Sequence, residues 1–370
     1  MWDYNDITSL NIEASSLCNA QCLVCFRFED RGSVKLNPEF TPMYLKFEDV
    51  KRWFPPEFLQ QINFICFSGD YGDAMTSPDI VPILDYLTTS NPNATIAICT
   101  NGGMRNVEFW DEVGKIIQRN PESYVTFSVD GLEDTNHIYR RKVKWDKLMA
   151  NVEAYIATGA RAAWDFLIFD YNEHQVEEAK EFSKKIGFTD FFSKTPYGLE
   201  HHKLQAKDKE DNVLYEVGPA SNQPNPDGVE PMYFKSASEM DYLKIKDGME
   251  TQYKDVVGNI KCFSARDGGS ELRISAEGNV HPCTHIGSIS RTSFKSNQFV
   301  RSQVNHYLHQ QEISLHHRSL KEILEDNPFQ WFEDSWTDKK CMYCWHVCGK
   351  NKEKDTRMGK IFGQGDYGKT

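Results

Sequence analysis

From residue 8 to about 193, short β-branched or aromatic runs alternate with amphipathic stretches of helical period, and this alternation restricts the available folds more than any other feature. The pattern predicts strands near Ser9–Ala14, Ile62–Phe67, Ala94–Cys99, Tyr124–Val129, Ala163–Phe169 and Phe188–Phe192. Between them it predicts helices near Phe47–Gln61, Asp79–Thr89, Val107–Arg119, Trp145–Thr158 and His174–Ile186. Strand–helix alternation of this kind builds a parallel sheet with right-handed crossovers. Six strands are too few to close an eight-stranded barrel, so the expected fold is α/β: a curved, partial (βα)6 barrel over residues 1–195.

Ligands of such sheets bind beyond the carboxyl ends of the strands. After the first strand comes Cys18-Asn-Ala-Gln-Cys22-Leu-Val-Cys25, with three residues between the first pair of cysteines and two between the second. A loop this tight can wrap three thiolates around one corner of an iron–sulfur cube. Cubane clusters normally take four cysteine ligands, so three leave one iron open. A zinc knuckle and a chance group of buried thiols are the other readings of the triplet. After strand two comes Ser68-Gly-Asp-Tyr-Gly-Asp73, whose glycines permit close backbone approach to a ligand. Asn101 follows strand three, and Ser128 and Asp130 end strand four. Arg140 and Arg141 lie downstream, and a guanidinium offers a planar fork to a carboxylate. Each of these residues alone reads as an ordinary turn position; their shared place at the strand ends makes them a set.

The cysteine spacing resembles the CxxxCxxC signature of the radical S-adenosylmethionine (SAM) enzymes, and the resemblance spans roughly residues 7–195. It implies a [4Fe–4S] cluster on Cys18, Cys22 and Cys25, with SAM chelating the open iron. In that family an electron from the cluster splits SAM to a 5′-deoxyadenosyl radical, which abstracts hydrogen from a substrate C–H bond. By the same resemblance Gly72-Asp73 stands for the Gly-Glu of the family's GGE motif, at altered spacing. Asn101 and Ser128 are then expected at the SAM ribose or carboxylate with Asp130 orienting them, Arg140 or Arg141 at the carboxylate, and Asn172 near the adenine. Many relatives place an aromatic residue before the third cysteine to cover the adenine; here Val24 stands there, with Phe26 on the other side of Cys25.

Further cysteines follow the barrel segment. Cys262 precedes, and Cys283 follows, a stretch from Leu272 to Val280 that reads as two short strands around a Gly278 turn. Cys341-Met-Tyr-Cys344-Trp-His-Val-Cys348 supplies three more thiols. This resembles the SPASM or twitch domains that hold auxiliary [4Fe–4S] clusters in the same family. Five thiols suggest the shorter, one-cluster twitch form, in a smaller α+β domain with a β-hairpin over 259–370. The resemblance favours Cys262, Cys283, Cys341 and Cys344 as ligands, with Cys348 as substitute, spare thiol or hydrogen donor. Zinc on four thiolates is the alternative. His281 and His285 lie close by in sequence, as structural residues or donors to the site. Cys66 and Cys99 fall inside predicted strands and read as small buried hydrophobes, with a hydrogen-donating thiol as the minority reading. Residues 196–258, with His201-His202 and the turn-rich 222–228, read as a linker or substrate-covering region.

Composition narrows the function classes. The ten cysteines, grouped at short gaps, point to metal in a reducing compartment rather than to disulfides. A net charge of −12 argues against a long nucleic-acid substrate, which asks for a basic footprint. No apolar run approaches the ~20 residues of a membrane span, and no signal-peptide pattern precedes Cys18, so a cytoplasmic protein is expected. The leading expectation is a radical SAM enzyme acting on a peptide or oxidising a small molecule, fed by a flavodoxin- or ferredoxin-like electron donor. The first strand begins too early for a leader-peptide domain of the ~80 residues usual for such modules, which weakens a leader-dependent peptide maturase. A nucleotide- or sugar-modifying enzyme and a non-catalytic zinc-stapled binding protein are the alternatives.

Overall fold

The computed structural model describes residues 2–196, 203–221, 262, 264, 270–294, 301, 302, 304, 305, 308, 313–336, 344 and 348. The six expected strands are present: β1 (Ile7–Ile12), β2 (Phe64–Phe67), β3 (Thr95–Thr100), β4 (Tyr124–Ser128), β5 (Arg161–Leu167) and β6 (Asp190–Lys194). They lie side by side in sequence order, every neighbour parallel. Among the described residues no helix is long and apolar enough to cross a membrane.

Helices cover one face of this sheet. The helix expected over Phe47–Gln61 is two pieces, α1 (Phe47–Trp53) and α2 (Pro56–Leu59), because Pro55-Pro56 interrupts it. Proline lacks the N–H that a continuing helix needs and drives the residue before it out of helical dihedrals. The other crossovers are α3 (Ile80–Ser90), α4 (Val107–Ile117), α5 (Asn136–Tyr139), α6 (Trp145–Ala157) and α7 (Val176–Ile186). Asn106 caps α4 by accepting from the Phe109 N–H at 3.2 Å. The core lies between the helices and the strand positions that face them: Leu10 and Ile12, Ile65 and Phe67, Ile96 and Ile98, Val125 and Phe127. Each such side chain, fully buried, contributes about 1.5–3 kcal/mol of transfer free energy.

Because side chains alternate along a strand, the positions between these core residues stand on the other face. Toward the carboxyl ends that face carries Asn11 on β1, Cys66 on β2, Cys99 on β3, Ser128 on β4, Asp165 on β5 and Lys194 on β6. Lys194 Nζ pairs with Asp165 at 2.8 Å. Cys66 and Cys99 share a thiol–thiol hydrogen bond, Cys66 fully buried and Cys99 half-buried.

Two features lie beyond the predicted strands. The hairpin expected near Gly278 is β9 (Ser270–Ile274) with β10 (Val280–His281), antiparallel, and Gly278 takes a positive φ of 76° at its turn. It is not a separate sheet: β9 pairs parallel with β1, so one eight-stranded sheet runs β10-β9-β1-β2-β3-β4-β5-β6. The segment read as linker contains a second hairpin, β7 (Leu204–Lys207) and β8 (Val213–Val217). Its Leu204, Ala206 and Val217 pack beneath Leu23, Tyr139 and Phe169, against the cysteine loop.

Candidate active site

The loop carrying Cys18, Cys22 and Cys25 leaves β1 at the carboxyl end of the sheet, and all three thiols are half-buried. Arg27, which sequence reasoning passed over, shapes it from inside. Its guanidinium donates to the Cys18 carbonyl at 2.5 Å and to the Ala20 carbonyl. Arg141 holds the outside: its Nε donates to the Gln21 carbonyl at 2.9 Å, while its Nη1 reaches the Lys207 carbonyl at 3.0 Å. In return Gln21 N–H donates to the Arg141 carbonyl at 2.9 Å. Arg141 thus ties the cysteine loop to the β7–β8 hairpin, whereas Arg140 faces the sulfurs.

The Cys18 thiol donates to Asn19 Oδ1 at 3.9 Å, and two side-chain donors reach the sulfurs. Asn101 Nδ2 stands 3.5 Å from Cys18 Sγ, and Arg140 Nη1 stands 3.5 Å from Cys22 Sγ. Both are held by buried carboxylates. Asp73 takes hydrogen bonds from Thr100 Oγ1 (2.9 Å), Asn101 N–H (2.9 Å) and Asn101 Nδ2 (2.7 Å). Asp130 accepts from Arg140 Nε at 2.5 Å and from Leu167 N–H at 2.8 Å. Burial raises both carboxyls from the ordinary aspartate value in spite of these donors. Gly72 is required by space: a Cβ there would lie 2.1 Å from the Ser15 carbonyl oxygen.

Burial, with Asp73 and Cys22 nearby, raises the Cys18 thiol, and burial beside Cys22 pushes Cys25 up to about 11. Without metal these thiols therefore stay protonated at neutral pH. A metal that binds them must displace their protons.

The remaining expected residues divide. Ser128 lies half-buried at the end of β4. Asn172 is fully buried and its amide is engaged by backbone, at Asp130 O (3.0 Å), Leu167 O (2.9 Å) and Phe169 N–H (2.7 Å). Val24 packs beside the small cluster of Leu23, Tyr139 and Phe169. Phe26 turns the other way, its ring 5.1 Å from Phe294 and 6.1 Å from Tyr71.

Of the later cysteines, Cys262 shares a side-chain hydrogen bond with Cys348 and lies near Cys283. Cys283 caps the following helix, α8 (Thr284–Arg291), with its sulfur accepting from the Ile286 N–H at 3.4 Å. Cys344 packs at the edge of the main core, and Cys341 lies outside the described residues. The geometry thus brings Cys348 beside Cys262. His281 is buried, neither ring nitrogen has a hydrogen-bond partner, and desolvation with Arg291 and Arg273 nearby depresses it to about 3.

Among the described residues, no three His, Cys, Asp or Glu side chains converge on a point where one ion could sit, as a zinc knuckle requires. A cubane holds each thiolate at a different iron and makes no such demand. Three thiols on one loop, with an amide and a guanidinium 3.5 Å from two of the sulfurs, fit a [4Fe–4S] cluster that keeps one iron for another ligand.

No curated protein matches the sequence. Among solved structures, the chain is similar to Streptococcus suis SuiB bound to S-adenosylmethionine, at 13% identity and a TM-score of 0.46, over 79% of this chain and 64% of SuiB. It thus spans under two thirds of that protein's length. It is also similar to anSMEcpe with bound AdoMet and Cp18Cys peptide, at 15% identity and a TM-score of 0.49, over 92% of this chain and 88% of the other. BtrN in complex with AdoMet and 2-DOIA matches at 11% identity and a TM-score of 0.39, over 90% and 88%. Residues 12–183 match the sequence model of the Radical SAM superfamily.

Proposed function

We propose that the chain is a radical SAM enzyme that cleaves S-adenosylmethionine reductively and removes hydrogen from a C–H bond of a polar substrate, either a peptide or a small molecule. The observation that carries this reading is the convergence of Asp73, Asn101 and Arg140 on the sulfurs of Cys18 and Cys22 at the carboxyl ends of the strands. The cluster, when bound, supplies the low-potential electron and the open iron that SAM requires.

The chain's own residues supply the rest. Arg27 and Arg141 hold the backbone of the cysteine loop at the Cys18 and Gln21 carbonyls. Asn101 and Arg140 place an amide and a positive charge beside the sulfurs, where they can donate to bound thiolates. The inner face, with its Asp165–Lys194 pair at 2.8 Å, suits a hydrogen-bonding substrate better than a hydrocarbon. A buried site of this kind orients one C–H bond and keeps water from the radical.

For the second group of thiols, Cys262, Cys283 and Cys348 are the proposed core of an auxiliary [4Fe–4S] site, with Cys344 or Cys341 as the remaining ligand. A flavodoxin- or ferredoxin-like protein is the proposed electron donor. Anaerobic reconstitution tests the reading: about eight irons per chain, and a reduced-cluster electron paramagnetic resonance signal that shifts when SAM is added, are expected. Colourless zinc protein with no SAM-sensitive signal would contradict it.

A further inference from the structure

The loop from Ser68 to Asp73 is gripped from two sides, and one grip comes from the far end of the chain. On the near side, Asp73 N–H donates to the Leu17 carbonyl at 2.8 Å, and the Asp73 carboxylate holds Asn101, whose amide touches Cys18. On the far side stand Arg273 of β9 and Arg291 at the end of α8.

Arg273 is fully buried. It reaches past its β1 partner Asn11 to donate to Ser68 O at 3.0 Å and to Asp70 at 2.9 Å. Arg291 donates to Glu13 at 2.5 Å and to Glu277, and its guanidinium lies 4.1 Å above the Tyr71 ring. Glu13 in turn accepts from Tyr71 N–H at 2.8 Å, and Tyr71 Oη donates to the Ser288 carbonyl at 2.9 Å. The β1–β9 ladder already holds the hairpin in place. The two guanidiniums add something a ladder cannot: they fix a loop one strand further on, pairing with the fully buried Glu13 and with the partly exposed Asp70 and Glu277.

We propose that Arg273 and Arg291 are positioning residues: acting through the 68–73 loop, they hold Asp73 and Asn101 against the cysteine loop, so that the C-terminal hairpin sets how tightly the N-terminal site takes S-adenosylmethionine. The SAM half of this statement rests on the radical SAM reading above; the mechanical half does not.

The test uses the full chain with Arg291→Gln, Arg291→Lys and the charge-neutral double variant Glu13→Gln/Arg291→Gln, which stands in if an unpaired Glu13 prevents folding. Amide hydrogen exchange on the metal-free chain reads the mechanical coupling. Exchange at Tyr71, Asp73 and Asn101 should accelerate about tenfold in Arg291→Gln and in the double variant, while Val125 and Phe127 in β4 stay protected. Arg291→Lys should recover part of the protection. In the reconstituted protein, the SAM dissociation constant should rise about tenfold with iron content unchanged. Acceleration confined to Tyr71, or a SAM dissociation constant within about twofold of wild type, overturns the proposal. Wild-type protein that takes iron but binds no SAM would sink the radical SAM reading, and the exchange result would still decide whether the arginines reach Asn101.

Discussion

The two groups of cysteines are built in opposite ways. Cys18, Cys22 and Cys25 share one loop of eight residues, shaped by Arg27 from within and by Arg141 from outside. Cys262, Cys283 and Cys348 come from positions up to 86 residues apart (348 − 262), on either side of the β9–β10 hairpin that pairs with β1. The first site is local, so its motif can be read along the chain. The proposed second site draws on distant parts of the chain, and no compact motif marks it. Loss of the first should leave the second standing, whereas loosening of the β9 edge should disturb both.

The largest effect that separates the two sites comes from replacing Cys18, Cys22 and Cys25 together with alanine. About half the iron should remain, all of it insensitive to SAM in the paramagnetic resonance spectrum. Iron lost completely would show that the sites assemble together and would break the comparison. Next in size is the double replacement of Cys262 and Cys348. Iron should again fall to about half, but with SAM binding retained, because every residue that touches Cys18 and Cys22 is untouched. Unchanged iron would show that these thiols are not ligands.

A smaller effect is expected from Asp73→Asn. The carboxylate accepts from Thr100, Met75 and both nitrogens of Asn101, so an amide turns a donor toward donors. Each lost bond to a charged group is worth about 1.5–3 kcal/mol. Weaker SAM binding by about tenfold or more should follow, with auxiliary iron unaffected. Equilibrium dialysis with labelled SAM measures it.

The smallest effect concerns pH. Burial pushes the Glu271 carboxyl up to about 7, with Arg273 opposing. A carboxyl whose pKa rises on folding contributes its full stability below its unfolded value of 4.5 and loses it as pH climbs through about 7. Glu271→Gln in the metal-free chain should therefore melt a few degrees above wild type at pH 8 and level with it near pH 4. Equal melting curves at both values would remove Glu271 from the pH dependence of the β9 edge.

Much of the barrel was legible because its signals are local. Alternating apolar positions mark each of the six strands, and Cys18-Asn-Ala-Gln-Cys22-Leu-Val-Cys25 marks the site. The break in the first helix was legible too, in Pro55-Pro56, and a reading by apolar period alone ran past it. The β7–β8 hairpin was hidden among polar turn residues, although Val213-Leu-Tyr-Glu-Val217 has strand composition. The partner of β9 was not legible at all, since a short strand carries no record of which edge it joins some 260 residues away. For the same reason nothing along the chain marks Arg273 and Arg291 as partners of Glu13, Asp70 and Glu277, beside which the fold places them. Asn172 and Arg141 stand near the site, but their side chains are engaged by backbone rather than turned to the sulfurs.

The most direct measurement is the yield of 5′-deoxyadenosine from S-adenosylmethionine, with anaerobically reconstituted and reduced protein, compared between wild type and the chain lacking Cys18, Cys22 and Cys25. Formation by the wild type and none above background by the variant is the predicted result. Equal yields from the two proteins, or none from wild type that carries its full iron and reduces normally, would contradict it.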